Sequence, residues 1–305
     1  MADDGRMDER ATIWPALPLQ EWQDTYATLH MWTQIVGKIR LVQSPMVNHW
    51  WQVPLYVTAR GLTTSPIPYG DGSFEIDFDF IDHQLLICTD SGATRRIALK
   101  PCAVAAFYQE LMSTLEALGI RIKIYTTPVE VPDPIPFEAD YQHAAYDAEY
   151  VHRCWRILVQ SDKVFKEFRG RFLGKCSPVH FFWGSFDLAV SRFSGRRAPA
   201  RPDADAMTRE GYSHEVISCG FWPGSGAIQA PAFYAYAAPA PPGLDKAVIR
   251  PSQAFYSPEM FEFILLYDDV RQAADPQATL MEFLQSTYEA GANLAQWNRQ
   301  ELERD

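Results

Sequence analysis

The sequence predicts an α+β fold of two similar halves, each an antiparallel sheet with flanking helices. Segments with apolar residues at helical spacing are interspersed with segments of alternating apolar and polar residues, which are typical of half-buried strands. An apparent repeat supports the two halves. At an offset of 133 residues, seven positions between 22 and 57 are identical, including Trp22/Trp155 and Trp50/Trp183, where average composition gives about two. We interpret this repeat as an internal duplication of a helix followed by a strand.

Composition and charge limit the classes of function. The 305 residues are 47% hydrophobic and 21% charged, as expected for a folded protein with a sizeable core. The net charge of −11 argues against a general nucleic-acid binder, because phosphates are attracted by a positive field. The five cysteines form no CxxC pair, which favours free thiols in a reducing compartment. Without an apolar leader or an 18-residue apolar stretch, we expect a cytoplasmic protein without a membrane partner. The oligomeric state is not determined by the sequence.

The first half is predicted over residues 14–128. Its main helix runs to about Val36 and is ended by Gly37. A second helix begins at Pro101 and stops at Gly119. The remaining pattern predicts strands at 49–59, 74–80, 85–88, 95–99 and 120–124, with a proline- and glycine-rich loop at 63–72.

A proline-rich segment at 129–139 is predicted to be the linker to the second half, residues 140–303. This half is expected to begin with a helix near Asp147. Two C-terminal helices are predicted where Ser257-Pro258 and Asp275-Pro276 place an N-cap residue before a first-turn proline. The strands are predicted at 174–190, 212–222 and 232–238, with a polar loop at 196–210.

Two histidines lie in the repeated segment, His49 and His180. On regular strands they share parity, so both side chains are predicted on the core-facing side. Two interpretations stay open. They are core histidines whose ring nitrogens are hydrogen-bonded, or they line a cavity between two sheets and act as acid/base residues.

A third histidine precedes an acid in His214-Glu215. The pair is not the start of an HExxH zinc motif, because position 218 is Ser. His49, His180 and His214 could converge on a metal ion, with Glu215 or Asp187 nearby, since imidazole is a common ligand. No short-range spacing supports a metal centre, so it is the weaker interpretation and the cofactor is left unknown.

Further residues suggest ligand binding. Trp50, Trp51 and Trp183, with Asp187, could form part of an aromatic small-molecule pocket, although packing explains the same pattern. Arg169, Arg171 and Lys175 are a local basic run, which is either a solvated helix face or a site for phosphate or carboxylate. The segment 170–177 has three residues between its glycines and therefore does not match a P-loop.

Several specific motifs, taken together, carry a resemblance to a known family. They are residues 14–19, 28–38, 48–51, 55–69 and 174–192. The chain resembles, over about residues 14–297, a bacterial family of uncharacterised proteins known as a domain of unknown function. The resemblance implies no activity, cofactor or catalytic residue.

Two functional hypotheses follow. The first is a small-molecule enzyme whose site lies between the two halves and uses histidines as acid/base residues or metal ligands. The second is a non-catalytic protein that binds an apolar or anionic small molecule in an aromatic cavity.

Overall fold

The computed structural model describes residues 13–304. Within that range it contains seven helices and two antiparallel sheets of six strands each. The predicted α+β class, with an antiparallel sheet and flanking helices in each half, is therefore confirmed.

The first sheet is a meander with short additions. Its alternation buries one face, on which Phe74, Ile76 and Phe78 are almost fully covered. The strand order is β1-β2-β4-β5-β6, with β3 paired to β4. The strands are β1 (Tyr56–Val57), β2 (Gly61–Thr63), β3 (Ile67–Tyr69), β4 (Gly72–Asp79), β5 (Gln84–Thr89) and β6 (Thr94–Ala98). Helices α1 (Leu19–Gln43) and α2 (Val104–Ala117) belong to this half.

The second sheet has the order β11-β12-β10-β9-β8-β7. Its strands are β7 (His180–Phe182), β8 (Asp187–Arg197), β9 (His214–Trp222), β10 (Ala232–Ala238), β11 (Phe255–Ser257) and β12 (Glu262–Leu266). Helices α3 (Ala148–Gly170) and α6 (Pro276–Leu294) cover one face, where Phe165 contacts Phe233. The short helices are α4 (Ala206–Gly211), α5 (Tyr267–Arg271) and α7 (Arg299–Leu302).

Helix α1 lies at the centre of the molecule. Every residue from Thr28 to Arg40 is buried, so the helix is enclosed on all sides. The prediction that Gly37 ends this helix is wrong, because α1 continues to Gln43. Gly37 instead leaves a gap for the indole of Trp183, whose ring atoms lie 2.3 Å from where a Cβ on Gly37 would be.

The two halves are joined by backbone hydrogen bonds. Leu55 and Phe181 exchange bonds of 2.9 and 2.8 Å. The predicted linker is also fixed to α1, because the Gln34 amide donates to the Val129 carbonyl at 2.8 Å and accepts from its N–H at 2.9 Å. One hydrophobic core contains residues of both halves.

The predicted strand at 49–59 is wrong over most of its length. Asn48–Trp50 is a 3₁₀ turn in which His49 and Trp50 both have φ of 60°, and only Tyr56–Val57 is a strand. Left-handed backbone cannot continue a β ladder. The internal duplication is consequently not confirmed: Trp22 and Trp155 lie on α1 and α3, but Trp50 lies in the 3₁₀ turn and Trp183 in the turn after β7.

Three further elements differ from the sequence predictions. The predicted strand at 174–190 is a hairpin of β7 and β8, and residues 120–124 form no strand. The helix predicted after Ser257-Pro258 is wrong, because β11 ends at Ser257 and β12 pairs with β10. Pairing with an existing sheet outweighs a local cap signal. The helix after Asp275 is confirmed, and the Asp275 side chain accepts the N–H of Ala278.

Candidate functional site

A cavity of about 1110 Å³ lies between the uncovered face of the second sheet and elements of the first half. The sheet forms its floor. Its walls come from α1, the segments 49–53 and 130–135, and the end of α4. This volume is slightly above the usual range of about 300–1,000 Å³ for small-molecule sites, which occur preferentially at interfaces between domains.

The strand register places polar side chains on the cavity floor. Ser191 on β8 pairs with Ser218 on β9, which pairs with Tyr236 on β10, so all three project to one side. Asp187 shares the parity of Ser191, and Tyr234 that of Tyr236. Glu262, at the start of β12, completes the set of polar residues on this face.

Asp187 and Tyr234 are in contact across an intervening strand. The Tyr234 hydroxyl donates a hydrogen bond to the Asp187 carboxylate, although β9 lies between β8 and β10. The ring crosses β9 above Gly220, where a Cβ would be only 2.4 Å from the tyrosine oxygen. The absence of a side chain at position 220 therefore permits this contact.

Burial controls the protonation of the two acids on the floor. Asp187 is 8% exposed, and burial raises its pKa to about 7, while the hydrogen bond from Tyr234 acts in the opposite direction. Glu130 and Glu262 raise the Asp187 pKa further through their charge. Burial also raises the pKa of Glu262 to about 7. Both carboxyls can therefore exchange a proton near neutral pH.

The opposite wall contains a buried histidine of α1. The ring of His30 stacks parallel to Tyr26, with centroids 5.9 Å apart, and its Nε2 lies 2.8 Å from the Gly184 carbonyl oxygen. Burial lowers the His30 pKa to about 4, so the ring is neutral at physiological pH. Because Gly184 lies in the turn between β7 and β8, the contact with His30 fixes this turn against α1.

A carboxylate–histidine pair lies at the edge of the cavity. The Asp140 carboxylate is fully buried and lies 2.7 Å from Nδ1 of His143, whose side chain is 36% exposed. Asp140 also accepts the backbone N–H groups of Gln142 and His143. The arrangement fixes the imidazole, and Nε2 has no hydrogen-bond partner within the part of the chain that the structure describes, which is the geometry of an oriented general base.

Left-handed backbone is concentrated around the cavity. Four lining residues other than glycine have positive φ, namely His49, Trp50, Glu130 and Asp133. Phe186 and Phe261, which directly precede the two floor acids, also have positive φ. Such conformations cost free energy for residues with a Cβ and are concentrated at functional sites.

The three predicted catalytic histidines do not form one site. His49 lines the cavity and its Nδ1 lies 3.0 Å from the Gly211 carbonyl oxygen, while the His49 and His214 ring centroids are 5.7 Å apart. The His180 ring meets the Trp51 ring edge to face, with centroids 5.8 Å apart, and His180 is 1% exposed. Both His180 nitrogens are buried without a partner among the described residues, and burial lowers its pKa to about 3.

The metal hypothesis finds no geometric support. Between residues 13 and 304, no group of three or more His, Cys, Asp or Glu side chains is placed to hold a metal ion. Glu215, predicted beside His214, instead forms an ion pair of 2.7 Å with Arg196 and accepts from Ser194. Asp187 contacts Tyr234 rather than the histidines.

The predicted tryptophans divide between the cavity and the core. Trp50 and Trp51 line the cavity. Trp183 is buried, and its Nε1–H donates to the Val53 carbonyl oxygen at 2.8 Å, so it joins the two halves.

The three residues of the predicted anion site lie in different surroundings. Arg171 pairs with Glu167 at 2.6 Å on the exposed face of α3. Lys175 lies over the ring of Trp51, with its Nζ 5.1 Å from the centroid. Arg169 is exposed on the last turn of α3.

Sequence reasoning missed Glu262, Asp140 and His143 as site residues, and it did not identify Tyr234 as the partner of Asp187. One signal was available: Asp187 and Glu262 are acids that each directly precede an apolar run, at 188–190 and 263–266, where an ionised carboxylate is costly. The Asp140–His143 spacing of three residues could also have been noted.

Almost the whole chain is similar to a known protein family. The sequence model of a family of unknown function, DUF5996, matches residues 14–304. No curated protein and no solved structure matches the chain. None of the helices within residues 13–304 combines the length and apolar character that crossing a membrane requires.

Proposed function

We propose that this chain, which belongs to the DUF5996 family of unknown function, binds a small organic molecule in the cavity between its two halves. The Asp187 carboxyl is the main polar contact. The observation that carries the proposal concerns Asp187, which is 8% exposed and lies on the floor of a 1110 Å³ cavity. Among residues 13–304, the only side chain that forms a hydrogen bond with its carboxyl group is that of Tyr234.

The buried carboxyl group of Asp187 lowers the stability of the fold when it is ionised. Burying an ionisable group without a cationic partner destabilises a fold, as the raised pKa of Asp187 reflects. A group that costs stability is retained where function uses it. The residues with left-handed backbone conformation around the same cavity also lower the stability of the fold.

The test combines retained ligand with thermal stabilisation. The purified protein is extracted and the extract analysed by mass spectrometry, and a set of small metabolites is screened for an increase in Tm. Asp187→Asn should abolish both the co-purification of the ligand and the rise in Tm caused by a binding metabolite, because the asparagine amide lacks the charge of the carboxylate. Glu282→Gln is the matched control, since Glu282 pairs with Arg250 on the surface. Unchanged binding by Asp187→Asn would contradict the assignment.

A second candidate function is acid–base catalysis on the bound molecule. It rests on the Asp140–His143 pair, in which a buried carboxylate orients the imidazole at the edge of the cavity. In this scheme His143 Nε2 removes a proton, and the Asp187 carboxyl is a proton donor at the floor. The histidine differs from the three proposed from the sequence.

Catalysis is distinguished from simple binding by depletion of a metabolite. The unmodified protein and His143→Gln are incubated with a metabolite mixture, and the compounds that disappear are quantified. His143→Gln should bind hits with unchanged affinity and lose turnover. If the two proteins deplete a metabolite equally, His143 has no catalytic role. If both proteins bind a metabolite and neither depletes it, the function is binding without catalysis.

A further inference from the structure

The charge of the cavity lining is one-sided. Among residues 13–304, no Lys or Arg lines the cavity, whereas five acids do. They are Glu130, Asp133, Asp140, Asp187 and Glu262. Low-dielectric walls concentrate the field of such groups, so a cation is attracted into the cavity and an anion is repelled.

The same cavity is rich in aromatic faces. On its floor, the rings of Tyr234 and Tyr236 are stacked, with centroids 6.2 Å apart, and Trp222 meets Tyr234 edge to face. Aromatic rings attract cations at their faces through the ring quadrupole, and the attraction increases when water is excluded. Acids beside aromatic faces are therefore suited to an organic cation.

The protein itself places a cation against this lining. The Lys175 ammonium lies 5.1 Å from the Trp51 ring centroid and 5.4 Å from that of Phe193. Both rings line the cavity, although Lys175 does not. Aromatic faces at this end of the cavity therefore already accept an ammonium group.

From these observations we infer that the ligand is an organic cation, an amine or quaternary ammonium compound with an apolar body, whose charge lies beside Asp187 and Glu262. The inference rests on the proposed binding function and narrows it. The two tyrosines and Trp222 contact the apolar body, and the two carboxylates balance the charge. It replaces the apolar or anionic ligand that the sequence suggested with a cationic one.

The test uses probes that share one ring and differ in charge. Benzylamine and benzyltrimethylammonium are cations, benzyl alcohol is neutral and benzoate is an anion. Isothermal titration should give the tightest binding for the two cations and none for benzoate. Asp187→Asn and Glu262→Gln should each weaken benzyltrimethylammonium binding at least tenfold and leave benzyl alcohol unchanged, whereas Glu282→Gln should change neither.

A pH series supplies a second readout. Benzyltrimethylammonium does not titrate, so its affinity should rise as pH increases through about 7, where Asp187 and Glu262 ionise. The other titratable groups that act on Asp187 are Tyr234 of β10, Glu130 of the 129–139 segment and Tyr26 of α1. The two tyrosines have pKa values far above this window.

The outcomes separate this inference from the proposed function. Benzoate or benzyl alcohol binding more tightly than both cations overturns the cationic ligand and leaves the cavity as a binding site. The inference is also overturned if Asp187→Asn and Glu262→Gln do not weaken the binding of the cations, because the ligand's positive charge then lies away from these two residues. If no probe binds and no ligand is retained, the inference and the proposed function both fail.

Discussion

A Cβ on Gly220 would lie 2.4 Å from the hydroxyl oxygen of Tyr234. The tyrosine ring can therefore cross β9 and reach Asp187 on β8 only while position 220 has no side chain. A contact between two strands that are not neighbours thus depends on a residue of the strand between them.

We predict that Gly220→Ala destabilises the protein by about 1–3 kcal/mol, because the new methyl group displaces the ring and also approaches the Leu188 carbonyl oxygen. Chemical denaturation measures the change. Tyr234→Phe is the comparison, since it keeps the ring and removes only the hydroxyl, at a cost of about 1 kcal/mol. A larger loss for Tyr234→Phe than for Gly220→Ala would contradict the steric explanation.

Asp187→Asn should stabilise the protein at high pH. The folded pKa of Asp187 is raised from 3.8 to about 7, so its contribution to stability is fully present below pH 3.8 and is lost as pH rises through 7. The amide avoids that loss. The variant should match the unmodified protein near pH 4 and exceed it by up to about 4 kcal/mol at pH 8.

Urea unfolding at pH 4, 6 and 8 tests this dependence. Glu130 and Glu262 act on Asp187 through their charge and are kept in both proteins. For Glu282→Gln, measured in parallel, the difference in unfolding free energy from the unmodified protein should not increase comparably between pH 4 and pH 8. A stability difference that does not change with pH would mean that Asp187 is not held protonated by burial.

Gly37→Ala and Gly170→Ala form a matched pair at the two helix positions that the 133-residue offset relates. A Cβ on Gly37 meets the Trp183 ring at 2.3 Å, whereas a Cβ on Gly170 has no atom within 4 Å. Gly37→Ala should therefore cost about 1–3 kcal/mol, because the indole loses its bond to Val53. Gly170→Ala should be neutral or gain up to about 1 kcal/mol. Thermal unfolding measures the stability change in both variants. Equal changes for Gly37→Ala and Gly170→Ala would disprove the packing role of Gly37.

His180→Leu tests the interpretation of His180 as an acid/base residue. Both its ring nitrogens are buried without a partner among residues 13–304, and such groups cost stability. An apolar residue of similar size should therefore be neutral or raise the unfolding free energy by about 1 kcal/mol. Ligand retention should not change, because His180 does not line the cavity. Loss of ligand with intact folding would restore the role predicted from the sequence.

Local sequence signals predicted the elements whose apolar pattern and boundaries agree. The alternation from Phe74 to Phe80 identified β4, and Asp147 and Asp275 marked the beginnings of α3 and α6. The same kind of signal failed at Ser257-Pro258 and at His49. In those places pairing with a distant strand, or packing around the cavity, outweighed the local preference.

The sequence by itself determined the α+β class, the core faces of the regular strands and the presence of histidines, acids and aromatic residues in apolar segments. The tertiary structure alone decided which of them meet. Asp187 contacts Tyr234 because the registers of β8, β9 and β10 place the two side chains on the same face of the sheet, on either side of Gly220. Asp140 orients His143 beside the same cavity. Strand periodicity fixes the face on which a side chain lies, but the partner across a sheet depends on pairings between residues far apart in the chain.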